Sequence, residues 1–317
     1  MQQDGKRRKT KDADSQWSLT FTDPYSLVQV VKTISNVISL ARLRMQERNG
    51  KYVLQFTGND KGWSVVVAAE VPIDKFHFGS KIKDHNDVCL FVEMESLLAA
   101  IESTTTTGTT KISYTEKGEK AGYVHVHIKD NDMSSRESLG MFKPFADDMG
   151  LEYELQNMEH KMVIEFDTGA LRDMVKKGKK LSVEYLTIEV FKLSYPSCAK
   201  KFSMTSLRVR GDNSEYEVSF ESEIRENEDG SMIVIDAGGE CDADNPDRYV
   251  AEQEQLFRGT FPISKIEAFV KNFPKRMLIG KAKTGQALML EHDLSGGGDT
   301  ESFIRFMVAP INEDVDD

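Results

Sequence analysis

Residues 168–182, TGALRDMVKKGKKLS, decide how the rest of the chain is read. Ala170, Leu171, Met174 and Val175 recur at helical spacing and define one buried face. Arg172, Lys176, Lys177, Lys179 and Lys180 crowd the remaining surface, with Asp173 the only acid among them, and Gly178 is the expected helix end. On a lone helix, solvated lysines complementing the helix dipole would account for this pattern. A second helix candidate, Ile263 to Arg276, repeats it with Lys265, Lys271, Lys275 and Arg276. Two basic helices stand out in a chain of formal net charge -11. At physiological salt, charges more than about 8 Å apart are largely screened, so a local basic wall can act independently of distant acid.

The length of 317 residues exceeds one ordinary core and suits two domains. No apolar run approaches the roughly 18 residues of a membrane span. The polar, basic N-terminus does not read as a secretory signal. Cys89, Cys198 and Cys241 are odd in number and far apart, which fits reduced intracellular thiols and no structural zinc. Enzyme signatures are missing. The run TTTTGTTK at Thr104–Lys111 lacks the P-loop pattern, and Gly-x-Ser-x-Gly, HExxH and CxxC are absent. The sequence therefore implies no catalytic residue, no metal and no cofactor.

Residues 1–18 read as a basic disordered tail carrying Lys6, Arg7, Arg8, Lys9 and Lys11. It suits a nuclear-import signal, a phosphate-grasping arm or a solubilising tail. Residues 19–130 form the first domain. Asp23 caps a helix with Pro24 at its first position, and Asn49-Gly50 marks a hairpin. Lys32 stands on the exposed side of that helix, while the second helix, Glu95 to Ser103, bears Glu95 and Glu102 and no Lys or Arg. Residues 131–158 read as a connector whose apolar residues suit a groove wall. Residues 159–311 form the second domain, interrupted at 221–247 by ten carboxylates against Arg225 alone, a solvated excursion without the spacing of a calcium loop. An acidic tail, 312–317, closes the chain. Both halves share the order strand, helix, several strands, helix, strands, an internal repeat of an α+β domain with its helices on one face of antiparallel sheet.

Three stretches carry a family resemblance: the ending FIRFMVAPINEDVDD from Phe303, the run from MVIEFDTGALRDMV to LSVEYLTIEVF, and ADDMGLEYE in the connector. Together they resemble the DNA sliding clamp of the proliferating-cell-nuclear-antigen (PCNA) type, in a divergent form that looks like a viral or otherwise remote relative. The resemblance implies two similar clamp domains, with antiparallel sheets outside and two helices per domain lining a ring around duplex DNA. Lys32, Arg172, Lys176, Lys177, Lys179, Lys180, Lys265, Lys271, Lys275 and Arg276 are the expected DNA-binding residues, since phosphate contacts position without reading sequence. Ring closure, usually as a homotrimer, would use the edges Gly122–Ile128 and Asn213–Phe220, with Tyr123, Val124, Val126, Tyr216, Val218 and Phe220 supplying packing. His125 and His127 share a strand face and make no complete metal site. A partner-peptide groove would take Met149, Leu151, Val308, Ala309, Pro310 and Ile311. The implied partners are double-stranded DNA, a DNA polymerase, a flap nuclease, a ligase and an ATP-driven clamp loader, in the nucleus or a viral replication compartment, with no membrane. A monomeric or heteromeric clamp subunit, of checkpoint or viral processivity type, is the alternative within this class. A clamp-fold structural scaffold without DNA is the alternative outside it.

Overall fold

A computed structural model describes residues 16–48, 50–62, 64–79, 88–103, 108–115, 122–130, 137–143, 160–194, 201–226, 232–236, 252–271, 276–282, 287–294 and 303–311. The chain divides between Gly150 and Leu151 into two compact units, with Asn36–Ile38 and Thr57–Ala69 belonging to the second.

The first half of the chain runs β1 (Trp17–Phe21), α1 (Tyr25–Ser35), β2 (Leu40–Arg48), β3 (Lys51–Asn59), β4 (Val65–Pro72), β5 (Lys75–Phe78), β6 (Cys89–Glu93), α2 (Met94–Ile101), β7 (Thr109–Thr115), β8 (Tyr123–Lys129) and β9 (Glu137–Phe142). One sheet has the order β5-β1-β7-β8-β9, and β6-β2-β3-β4 are neighbours in another. Alternation builds the first sheet: Trp17, Leu19 and Phe21 on β1 and Val124, Val126 and Ile128 on β8 are all buried. Helix α1 opens where the Tyr25 N–H donates to the Asp23 carboxylate at 3.2 Å and Val28 N–H to Pro24 O at 2.9 Å. Its buried stripe is Leu27, Val30, Val31 and Ile34. Each such fully buried side chain stabilises the fold by about 1.5–3 kcal/mol. Gly50, at φ +76°, makes the β2–β3 turn in a conformation that costs glycine nothing.

Unit 2 runs β10 (His160–Asp167), α3 (Thr168–Lys180), β11 (Tyr185–Ser194), β12 (Lys201–Gly211), β13 (Ser214–Glu226), β14 (Met232–Asp236), β15 (Glu252–Pro262), α4 (Ile263–Val270), β16 (Arg276–Ala282), β17 (Leu288–Asp293) and β18 (Phe303–Val308). Strand order is β15-β11-β12-β13-β14-β10-β16-β17-β18, and β4 is the other neighbour of β18. Val66 and Ala68 of β4 pack with Met289 and Met307 in one apolar cluster. Element order is the same in both halves: strand, helix, five strands, helix, three strands. The order β1-β7-β8-β9 corresponds to β10-β16-β17-β18, and β6-β2-β3-β4 to β15-β11-β12-β13. Among the described residues, no helix is long and apolar enough to cross a membrane.

Several sequence expectations are corrected. Helix α3 does not end at Gly178 but continues to Lys180. It stops at Ser182, which takes φ 56° while Val183 N–H bonds Gly178 O at 2.9 Å and Ser182 N–H bonds Lys179 O at 3.1 Å. That pair of bonds is a Schellman stop, with serine in the left-handed position where glycine is usual. Helix α4 ends at Val270, so Arg276 opens a strand instead of closing a helix. The connector contains a strand, β9, because 137–142 pairs along β8. The acidic interval is partly sheet: β13 continues to Glu226, and β14 pairs with it at 223–226.

Candidate nucleic-acid face and strand edges

The two helices of unit 2 meet through small and apolar residues. Leu171, Met174, Val175 and Gly178 of α3 are buried, as are Ile263, Ile266, Phe269 and Val270 of α4. A Cβ at Gly178 would lie 2.3 Å from Ile263 Cδ1, the far end of that side chain, and 3.4 Å from Val209 Cγ1, so a larger residue there requires Ile263 to shift. Across that contact Lys179 Nζ reaches Glu267 Oε1 at 2.6 Å, and Arg172 Nη2 donates to Val270 O at 3.0 Å. The arginine thereby satisfies a carbonyl left over at the end of α4.

The cations expected to face phosphate therefore separate into two groups. Arg172 caps α4, Lys179 is held by Glu267, and Lys176 pairs with Asp173 at 3.5 Å. Lys265 donates to Asp60 Oδ2 at 2.9 Å, and the same carboxylate accepts from Ser64 Oγ at 2.5 Å and Val65 N–H at 3.0 Å. Burial pushes the Asp60 carboxyl up, but the Ser64, Lys265 and Val65 hydrogen bonds and the Lys265 charge outweigh it and hold the group below its ordinary value. Lys265 is thus a fastener for the 60–65 turn, whose Ser64 O accepts Ala309 N–H at 2.9 Å. For the second group no carboxylate partner occurs among the described residues: Lys177 lies 4.7 Å over the Tyr216 ring, and Lys180 and Lys271 are exposed. Lys32 is exposed on α1, in unit 1. Lys275 lies outside the described residues, and Arg276 is at the start of β16.

The opposite face of the unit 2 sheet is polar and internally paired, a feature the sequence reading missed. Arg208 lies 3.5 Å from Glu189, 3.1 Å from Glu215 and 3.2 Å from Glu217, and Arg258 lies 3.6 Å from Glu189. A hydrogen bond from Ser206, helped by Arg208 and Ser219 against a burial penalty, holds the Glu217 carboxyl below its usual range. Strand alternation in β12 and β13 was legible in sequence, but which acid meets which arginine is set by register.

The strand edges differ from expectation in one decisive respect. Strand β8 is not an edge: β7 pairs on one side and β9 on the other. Val124 and Val126 are buried in their own core, leaving only Tyr123 of the expected trio exposed. Strand β13 does have a free side. Among the described residues, 214–222 pair with β12 alone, because β14 joins only from Glu223 onward. Tyr216 is exposed there, with Val218 and Phe220 half-buried. Of the groove residues, Val308 is buried, Ala309 and Pro310 are half-buried, and Ile311 is exposed with its N–H on Thr260 O at 2.9 Å. Met149 and Leu151 lie outside the described residues. His125 is buried and His127 exposed, and no group of three or more metal-ligating side chains occurs among the described residues.

No protein-family model and no curated protein matches this sequence. Solved structures do. The proliferating cellular nuclear antigen of Entamoeba histolytica superposes with a TM-score of 0.62 over 94% of this chain and 100% of that one, at 12% identity. This is a PCNA-type clamp fold. The PCNA2-PCNA3 complex of Sulfolobus tokodaii gives a TM-score of 0.59 over 92% of this chain and 98% of that chain, at 11% identity. In this clamp fold the basic helix α3 and its neighbour α4 share one side of the unit 2 sheet and the Arg208 ion-pair mosaic occupies the other.

Proposed function

We propose that this protein is a non-enzymatic sliding clamp, a processivity factor that assembles head to tail into a ring around duplex DNA. One observation carries the reading: the internal repeat contains its own rule for closure. Strand β18 neighbours β4, whose residues 65–69 belong to unit 2. By position in the repeat, β9 corresponds to β18 and β13 to β4. The β9 edge of one copy and the 214–222 edge of the next, which among the described residues has a strand on one side, are then the equivalent pair, and joining them repeats the β18–β4 junction between molecules. A heterologous contact of this kind closes into a ring when the rotation permits. The ring edge moves from β8 to β9, while β13 keeps its place.

Lys177, Lys180 and Lys271 supply exposed positive charge on the helical side of unit 2. A few such phosphate contacts give affinity without sequence preference, which suits sliding. On the unit 1 helices Lys32 stands against Glu95 and Glu102, so phosphate contact falls chiefly to unit 2. Ile311 and its neighbours 308–310 are the proposed seat for the apolar anchors of a client peptide from a polymerase, flap nuclease or ligase, with an ATP-driven loader opening the ring. Work on nuclear or viral DNA follows from this reading.

Size-exclusion chromatography with light scattering, followed by retention on closed circular against linear DNA, tests it. A homotrimer retained only on circles is expected, and Phe220→Asp, which puts a charge on the joining edge, should return it to monomers. A monomer or a species needing a second chain points to the heteromeric clamp. An assembly with no DNA retention overturns the clamp function in favour of a scaffold.

A further inference from the structure

We infer that Tyr216 is a positioning residue that couples closure of the ring to its grip on DNA, by holding Lys177 ready for phosphate. The inference rests on the clamp reading and adds a link between two surfaces of unit 2. Lys177 Nζ lies 4.7 Å from the centre of the Tyr216 ring, over its face. Register explains why the two meet. Tyr216 stands opposite Val209 of β12, and paired residues share a face of the sheet. Val209 is buried, and its Cγ1 lies 3.4 Å from where a Cβ at Gly178 would be. Val209 and Tyr216 are therefore on the face against which α3 packs, and Lys177 is the residue next to Gly178. Lys177 is exposed, so its ammonium meets the ring at the solvent boundary of that contact.

The kind of partner matters. On the same helix Lys176 pairs with Asp173 at 3.5 Å and Lys179 reaches Glu267 at 2.6 Å. A carboxylate that holds a lysine also offsets its charge. An aromatic face holds a cation through its quadrupole and adds no charge of its own. Lys177 is thus held at full charge, with N–H donors left on the side away from the ring. The place of Tyr216 gives the contact its second role. The tyrosine is 37% exposed, on the stretch 214–222 that among the described residues pairs with β12 alone. This is the stretch that the clamp reading joins to the β9 edge of the next copy. A strand added there removes water from around the tyrosine, and a cation over an aromatic ring is held more firmly as the site is desolvated. Closing the joint thereby orders Lys177 before DNA arrives. By linkage, DNA bound at Lys177 favours the closed joint by the same factor.

The test compares Tyr216→Leu, Tyr216→Phe and Lys177→Ala in the full-length protein, with light scattering for assembly and anisotropy for binding to a short linear duplex. All three should still form the ring. Lys177→Ala should lose one phosphate contact, making the slope of log K against log salt shallower by about 0.9 per engaged chain. Tyr216→Leu should keep the wild-type slope, since the lysine is still present. It should lower affinity about threefold per engaged chain, the order of what ordering one long side chain on binding costs. Tyr216→Phe keeps the aromatic face and should match wild type, and Tyr216→Leu should add nothing in the Lys177→Ala background. Reductive methylation with carbon-13 keeps each lysine charged and makes it visible by NMR. The Lys177 signal, identified by its loss in Lys177→Ala, should be displaced upfield by the ring current in wild type, less so in the monomeric Phe220→Asp, and not in Tyr216→Leu. The inference is overturned if Tyr216→Leu binds DNA as wild type does, if Tyr216→Phe falls with it, or if the Lys177 signal is the same in wild type and Phe220→Asp. Failure of Tyr216→Leu alone to assemble would make the tyrosine a joint residue only, and overturns it too. A wild-type chain that neither assembles nor binds DNA defeats the clamp reading; one that does both while ignoring Tyr216 defeats this inference alone.

Discussion

Replacing Lys177, Lys180 and Lys271 together with alanine should remove most of the salt dependence of DNA binding, because these are the lysines of α3 and of the C-cap of α4 for which no carboxylate partner occurs among the described residues. Each phosphate neutralised contributes roughly -0.9 to the slope of log K against log salt, so three such contacts give about -2.7 for each chain engaged. Raising salt from about 50 to 200 mM then weakens wild-type binding on the order of 40-fold per engaged chain, and the triple variant's binding scarcely at all. The contrasting variant is Lys179→Ala/Lys265→Ala, whose two ammonium groups lie 2.6 Å from Glu267 and 2.9 Å from Asp60. It should keep the wild-type slope and lose stability instead, since it strips partners from Glu267 and from the 60–65 turn. Fluorescence anisotropy on a short linear duplex at five salt concentrations measures the slopes, and thermal unfolding measures the stability. Equal slope losses in the two variants would refute the division into free and structural lysines. An unchanged slope in the triple variant would remove α3 and α4 from the DNA interface.

Three further outcomes follow from single positions. Ser182→Gly should stabilise the protein by about 1 kcal/mol in urea unfolding, since glycine adopts the left-handed turn after α3 without the serine's steric cost; a loss of stability would show that the Ser182 side chain matters more than its φ. At Gly178, alanine gains about 1 kcal/mol of helix propensity but meets Ile263 Cδ1, and overpacking costs about 1–3 kcal/mol. Gly178→Ala should therefore be neutral to destabilising, and adding Ile263→Val, which removes that methyl, should cost less than the two separate changes sum to; strict additivity would mean the helices do not touch there. Asp60 has a folded-state pKa below its unfolded one, so its stabilising contribution is full above the ordinary aspartate value near 4 and is lost as pH falls through the lower folded value. Asp60→Asn should flatten the acid limb of the stability profile below about pH 4 and leave the limb above pH 7 unmoved; an unchanged acid limb would argue against the Lys265–Asp60 pair.

Much of the fold was legible before any coordinates, and for local reasons. The stripes Leu171, Met174, Val175 and Leu27, Val31, Ile34 announce helices because burial follows a period near four residues. Asp23-Pro24 and Asn49-Gly50 announce a helix start and a hairpin because their chemistry acts within a few residues. The repeated element order emerged from these signals alone. The same locality misled at Gly178. A glycine after a basic turn resembles a helix stop, yet it lies inside α3 against Ile263, which is 85 positions away (263 − 178). Strand β9 was illegible for a related reason: ESLGMF has no clean alternation, and pairing with β8 makes it a strand.

The amino-acid sequence by itself determined the helices, most strands, the duplicated architecture and the concentration of positive charge on two helical stretches. Only the tertiary structure decided which of those charges are available and which edges are open. Lys265 reads the same as Lys271 in a helical pattern, but one faces Asp60 across 205 residues of chain and the other faces solvent. Periodicity specifies which side of an element is buried. It carries no information about what the element is buried against, and ion pairs, caps and sheet edges are properties of that second surface.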